Sequence, residues 1–169
     1  MIPEWRRKPL FTDRAVFLAV ALAAAGVLVA AWLLETVGGM EPCPLCWVQR
    51  GVFALLAVVA LVAALHGPRG WGRWVYAATV GGVALAGVLV AARHIQIQLQ
   101  PPVIGCGVGW ETLVERLPWH ELLTKALAGT ADCANVDAVM GLPLPVWTLG
   151  LYLGLGAAAV AGAARSGGR

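Results

Sequence analysis

The chain has 169 residues, of which 60% are hydrophobic and 12% charged, and its formal net charge is +3. A soluble domain of this length carries about twice that charged fraction, and a mean hydropathy of +0.78 points instead to a membrane protein. The charge is small and forms no basic stripe with interleaved aromatics, which excludes a nucleic-acid partner.

In chain order, the first apolar run spans about Ala15 to Leu34 and carries no charge. About twenty such residues, at roughly 1.5 Å each, cross a hydrocarbon core of about 30 Å. The basic flank Arg6, Arg7 and Lys8 would also suit a signal peptide, but the run exceeds the usual apolar stretch of one. The residues GMEPC before the first cysteine lack the small-residue pattern of a lipoprotein cleavage site. A short segment, about Glu35 to Leu45, follows. The second span, about Cys46 to Leu65, is broken only by Gln49 and Arg50 near its start. The third runs from about Trp74 to Ala92. A long segment, about Arg93 to Pro145, leads to a fourth span, about Val146 to Ala164, whose Gly and Ala allow close helix contacts. Residues 1–169 thus read as a single all-α integral membrane domain, a four-transmembrane-helix bundle with a short first and a long second outer loop.

Within the long segment, Trp110, Leu113, Val114 and Leu117 repeat at helical spacing. Pro118 interrupts them, and Trp119, Leu122, Leu123, Ala126 and Leu127 form a second apolar stripe. That stripe suits either the headgroup region or the ends of the spans. Ile95 to Gln100 alternates strictly but is too short and isolated to predict a strand. His66 and His120 read as solvent-facing loop residues, and His94, at the end of the third span, reads as an interface anchor.

Orientation follows from Lys and Arg. Arg6, Arg7, Lys8, Arg14, Arg69, Arg73, Arg165 and Arg169 fall on the side of the termini, while Arg50, Arg93, Arg116 and Lys125 fall on the other. The termini are therefore expected in the cytoplasm and both cysteine-bearing loops outside. Cys43, Cys46, Cys106 and Cys133 then all sit at the outer face, in a compartment that permits disulfides.

Cys43-Pro44-Leu45-Cys46 is a Cys-x-x-Cys pair where the second span begins. A thiolate at a helix N-terminus is favoured by free N–H groups and the positive dipole end. Arg50, four residues after Cys46, shares its helix face and would favour an anion there. A cation just inside the bilayer needs a partner or a role, although snorkelling to the headgroups is an alternative. Zinc ligands use the same Cys-x-x-Cys spacing, but zinc sites prefer two close pairs. Cys106 and Cys133 are too far apart in sequence for that, so no metal is assigned; a structural Cys106–Cys133 disulfide is a plainer reading.

The block CPLCWVQR at the start of the second span, the outer-loop cysteines in IGCGVGW and TADCANVD, and the lead-in GLPLPVW resemble the DsbB family of quinone-coupled disulfide oxidoreductases. The resemblance covers nearly the whole chain. It implies that a periplasmic DsbA-like thioredoxin-fold oxidase attacks Cys106, that Cys133 then attacks Cys43, and that Cys46 faces a membrane quinone, ubiquinone or menaquinone. Arg50 would stabilise charge at the quinone, and His94 matches a position near it. The resemblance further implies a multi-pass protein of the bacterial inner membrane, embedded in lipid and feeding the respiratory chain through the quinone pool. Vitamin K epoxide reductase-like proteins also join a membrane Cys-x-x-Cys to quinone chemistry, but in their fourth span. A four-span structural or zinc-binding protein with a disulfide-stapled loop is the non-enzymatic alternative.

Overall fold

The computed structural model describes residues 13–100 and 110–167. Cys106 lies outside them. The elements in order are α1 (Asp13–Thr36), α2 (Pro44–His66), α3 (Gly72–Leu99), α4 (Trp110–Arg116), α5 (Trp119–Ala128), a 3-10 turn (Ala131–Ala134), β1 (Ala138–Val139), β2 (Leu142–Pro143) and α6 (Leu144–Gly167). Helices α1, α2, α3 and α6 are each long and apolar enough to cross a membrane. They close a ring in which α1 and α3 each pack on both α2 and α6.

Small residues set this packing. Ala24, Ala60, Ala63, Ala77, Ala84 and Ala159 are buried where the helices meet, and Phe17, Phe53, Leu56, Val80 and Tyr152 fill the space between them. Lipid tails are as apolar as these side chains, so association depends on close van der Waals contact rather than on water exclusion. Gly87 of α3 is one such contact, because a Cβ there would collide with the Tyr152 ring of α6. Large apolar side chains such as Leu22, Leu65 and Leu89 remain exposed on the outside of the bundle, as a lipid-facing surface requires.

Three expectations change. The third helix does not stop near Ala92 but continues to Leu99. Gln96 and Gln98 ended the hydropathy signal without ending the helix, since glutamine is a good helix former. The alternating Ile95 to Gln100 stretch is therefore its last turns. At roughly 42 Å, 28 residues overshoot the hydrocarbon core and lift those turns toward the outer loop. His94 consequently lies inside a packed helix at 3% exposure and is not an interface anchor. His66 and His120 are exposed as expected, but on helices α2 and α5 rather than in loops.

Helix α5 and the 3-10 turn of the long segment fold over the first turns of α2 and the last turns of α3. Helices α4 and α5 form on the two expected stripes, burying Leu113 and Ala126. Gly129, at φ +84°, lets the chain turn down against Ile97, where a Cβ would collide. A short antiparallel hairpin, with Ala138 opposite Pro143, then feeds α6. Met140 and Gly141 both take positive φ at its tip, the geometry of a two-residue primed turn.

Candidate active site

Cys43 is the N-cap of α2, in extended conformation, and its sulfur accepts the backbone N–H of Cys46 at 3.3 Å. Pro44 takes the first helical position, where its missing N–H costs nothing. One turn of helix brings the Cys43 and Cys46 sulfurs to 3.0 Å. Cys133, in the 3-10 turn, is fully buried against Cys43, Leu45 and Ile97. Cys43 thus has a sulfur neighbour on either side, one from its own helix and one from the outer loop.

Of Cys43 and Cys133, the loop cysteine is the acidic one. Its hydrogen bond with Cys43, helped by the N–H groups of Thr130 and Leu45, pulls the Cys133 thiol down to about 6 against the opposing effect of burial. Cys43 moves the other way: its hydrogen bonds to Cys133 and Cys46, and then burial, push its thiol up. The arrangement holds a proton on Cys43 and a thiolate on Cys133. None of Cys43, Cys46 and Cys133 is in a disulfide in this structure.

His94 lies behind Cys43. Its Nδ1 faces the Gln49 side-chain nitrogen at 3.3 Å and its Nε2 faces the Cys43 sulfur at 3.8 Å. With the Gln49 amide donating to Nδ1, the imidazole proton sits on Nε2 and points at the sulfur. Gln49 is itself fixed from α6, where the Tyr152 hydroxyl donates to the Gln49 carbonyl at 2.8 Å and the Tyr152 ring stacks on Phe53 at 4.1 Å.

Arg50 points away from His94, toward α1. Its Nη1 donates to the Glu35 carboxylate at 2.6 Å and its Nη2 to the Ala31 carbonyl at 3.2 Å. Its guanidinium carbon lies 5.0 Å from the Trp47 ring centroid, and Trp47 stacks on Trp110 of α4 at 5.7 Å. Two clefts meet the redox pair from opposite sides. A mostly apolar cleft of about 550 Å³ holds Cys46, Arg50 and Glu35 among Val27, Leu28, Leu34 and Phe53. A more polar cleft of about 780 Å³ holds Cys43, His94, Gln98, Asp132 and Asn135. Cys46 lines both.

Of the six residues singled out in the sequence, five lie in this region, and Cys106 lies outside the described residues. Arg50 and His94 do not share a cleft. Sequence reading missed Glu35, Gln49 and Tyr152. An uncompensated Arg50 was a signal that an acid must be near, but α1 and α2 had to be docked before Glu35 could be named. The sulfurs of Cys43 and Cys46 and a ring nitrogen of His94 lie within 4.8 Å of one another. Among the described residues the zinc alternative finds a Cys2His set, and Cys106, the fourth thiolate it called for, lies outside them.

Four helices long and apolar enough to cross a membrane, with three free cysteines clustered at one end, fit the class of multi-pass thiol–disulfide oxidoreductases. A family model described as "Disulfide bond formation protein DsbB" matches residues 13–162. "Disulfide bond formation protein B" of Alkalilimnicola ehrlichii is 50% identical over 156 residues, covering 91% of this chain and 92% of that relative. The Marinobacter nauticus protein of the same name is 46% identical over 140 residues, covering 81% and 83%. The chain belongs to the DsbB family and is a membrane disulfide oxidoreductase that reoxidises DsbA. The structural or zinc-binding alternative is not favoured.

Proposed function

We propose that this protein passes the electrons it takes from a periplasmic DsbA-like dithiol to a membrane quinone, through Cys106, Cys133, Cys43 and Cys46 in that order. The observation that carries the order is the position of the Cys43 sulfur between those of Cys46 and Cys133. In this reading the partner's thiolate attacks Cys106 and releases Cys133. Cys133, released from Cys106 as a thiolate, attacks the Cys43 sulfur of a Cys43–Cys46 disulfide, so that the Cys133–Cys43 bond forms as the Cys43–Cys46 bond breaks and Cys46 is freed. Exchange needs a thiolate, and Cys133 leaves Cys106 in that form, already packed against Cys43. His94 points its Nε2 proton at Cys43 and steadies the sulfur that changes partner twice.

The apolar cleft fits a quinone. Its aliphatic walls suit a flat ring with an isoprenoid tail, Cys46 lies at its wall, and Arg50 offers donors for a carbonyl oxygen. A bound quinone supplies a two-electron, two-proton acceptor, and the protein supplies proximity and a cation. The distribution of Lys and Arg supports cytoplasmic termini, outward-facing cysteines and a place in the bacterial inner membrane, draining into the respiratory chain.

The test is to mix purified protein with a reduced thioredoxin-fold dithiol protein and a soluble quinone and to follow quinone absorbance. Loss of that signal is expected in the native protein and not in Cys46→Ser, in which Cys106 and Cys133 still exchange with the partner. Normal quinone turnover by Cys46→Ser would overturn the assignment.

A further inference from the structure

Arg50 already has a counter-ion. Its guanidinium is shared between the Glu35 carboxylate and the Ala31 carbonyl, and both members of the ion pair are partly buried. A carboxylate beside a site that receives electrons opposes their arrival unless it takes up a proton. Glu35 also stands on a boundary. It lines the apolar cleft with Cys46 and Arg50, and it lines a second, open cleft of about 1080 Å³ with Glu41, Trp47, Trp110 and Glu111. Arg50 cannot give up a proton at working pH. His94 lines the cleft on the Cys43 side and not the apolar one.

We propose that Glu35 is the proton relay of the quinone half-reaction, connecting water in the open cleft to the acceptor oxygen held at Arg50. The proposal rests on the quinone reading above. The balance is as follows. Closing the Cys43–Cys46 disulfide from one thiol and one thiolate releases two electrons and one proton, and quinone becomes quinol by taking two electrons and two protons. The second proton replaces the one Cys46 lost to water on becoming a thiolate. As charge arrives at the acceptor oxygen, Arg50 turns its donors toward it. The Glu35 carboxylate, left with less of its cation, takes a proton from the open cleft and delivers it to that oxygen. The other charged groups lining these two clefts are Arg50 from α2, Glu41 from the segment after α1, Glu111 from α4 and Asp137 before β1. Of these, Arg50 is the one that Glu35 touches directly.

The experiment uses the full chain, reduced and then mixed in a stopped-flow cell with a soluble short-chain quinone, in weak buffer containing a pH indicator. Tryptophan fluorescence reads quinone binding, the indicator reads proton uptake, and absorbance reads quinol formation. Glu35→Gln is expected to bind quinone as the native protein does but to slow proton uptake and quinol formation together by about 100-fold, the scale of a lost general acid. Added imidazole or acetic acid should restore both. Glu121→Gln, at an exposed acid of α5 outside both clefts, should take up protons at the native rate. Where Glu35→Gln does not fold, Glu35→Asp carries the test, with slowed uptake, intact binding and rescue by the same small acids. Weaker quinone binding with unslowed proton uptake at saturation would make Glu35 only a tether for Arg50 and overturn the proposal. A slowdown that no small acid relieves would overturn it too. A native protein that reduces no quinone at all would overturn the reading beneath it, and this result is distinct because no variant is needed to see it.

Discussion

At the scale of single residues, the chemistry depends on a proton shared between Cys43 and Cys133. Cys43 keeps it, and Cys133 is a thiolate because Cys43 donates to it. The sign follows directly. A depressed thiol is ionised above about 6 and protonated below, so in the reduced protein the Cys133 thiolate signal should be flat near neutrality and be lost as pH falls through about 6. Cys43→Ala removes the leading cause and should move the Cys133 midpoint up toward about 8.5. The ultraviolet thiolate absorbance of each protein, minus that of its Cys133→Ser counterpart, measures both midpoints. Arg50 offers a second test. A hydrogen bond to a charged group contributes about 1.5–3 kcal/mol, so Arg50→Met should weaken quinone binding by roughly 10- to 100-fold. An unchanged quinone affinity by fluorescence titration would leave Arg50 as a snorkelling residue paired with Glu35.

At the scale of elements, helix ends do the placing. The N-terminus of α2 sets the two sulfurs one turn apart, and the two extra turns of α3 carry Ile97 up to Cys133. From the opposite side α6 reaches Gln49 through Tyr152, which fills the gap that Gly87 leaves and donates to the Gln49 carbonyl. Gly87→Leu should therefore overpack this contact and cost about 1–3 kcal/mol. Tyr152→Phe keeps the ring stack and removes only the hydrogen bond, about 1 kcal/mol. Thermal unfolding in detergent should rank them native, Tyr152→Phe, Gly87→Leu. A Gly87→Leu protein as stable as the native one would mean that α3 and α6 can part there without loss.

At the scale of the whole molecule, the bilayer decides which surfaces are inside. The core is narrow and rich in alanine, while bulky side chains such as Leu65, 72% exposed, face outward, an inversion that only lipid makes stable. Orientation then follows from charge, and it can be measured. In a background without the four native cysteines, Glu41→Cys should react with a membrane-impermeant maleimide added to spheroplasts, and Arg69→Cys should react only after lysis. The reverse pattern would put the redox pair on the reducing side and remove the compartment its chemistry needs.

Hydropathy along the chain determined by itself that there would be four spans, because a bilayer demands long uninterrupted apolar helices and few other segments satisfy it. The cysteines, Arg50 and the family were legible for a related reason. A thiol pair at a helix start and a cation inside a span are local patterns, read within a few residues. Contacts between elements were not legible. That α3 would outrun its apolar stretch depended on Ile97 finding Cys133 and Leu45 to pack against. That His94 would be buried behind Cys43, and not at the membrane surface, depended on that same extension. Glu35, Gln49 and Tyr152 became visible only once α1, α2, α3 and α6 had closed into a ring. Their partners are 15, 45 and 103 residues away, and a single sequence carries no record of which distant side chains meet.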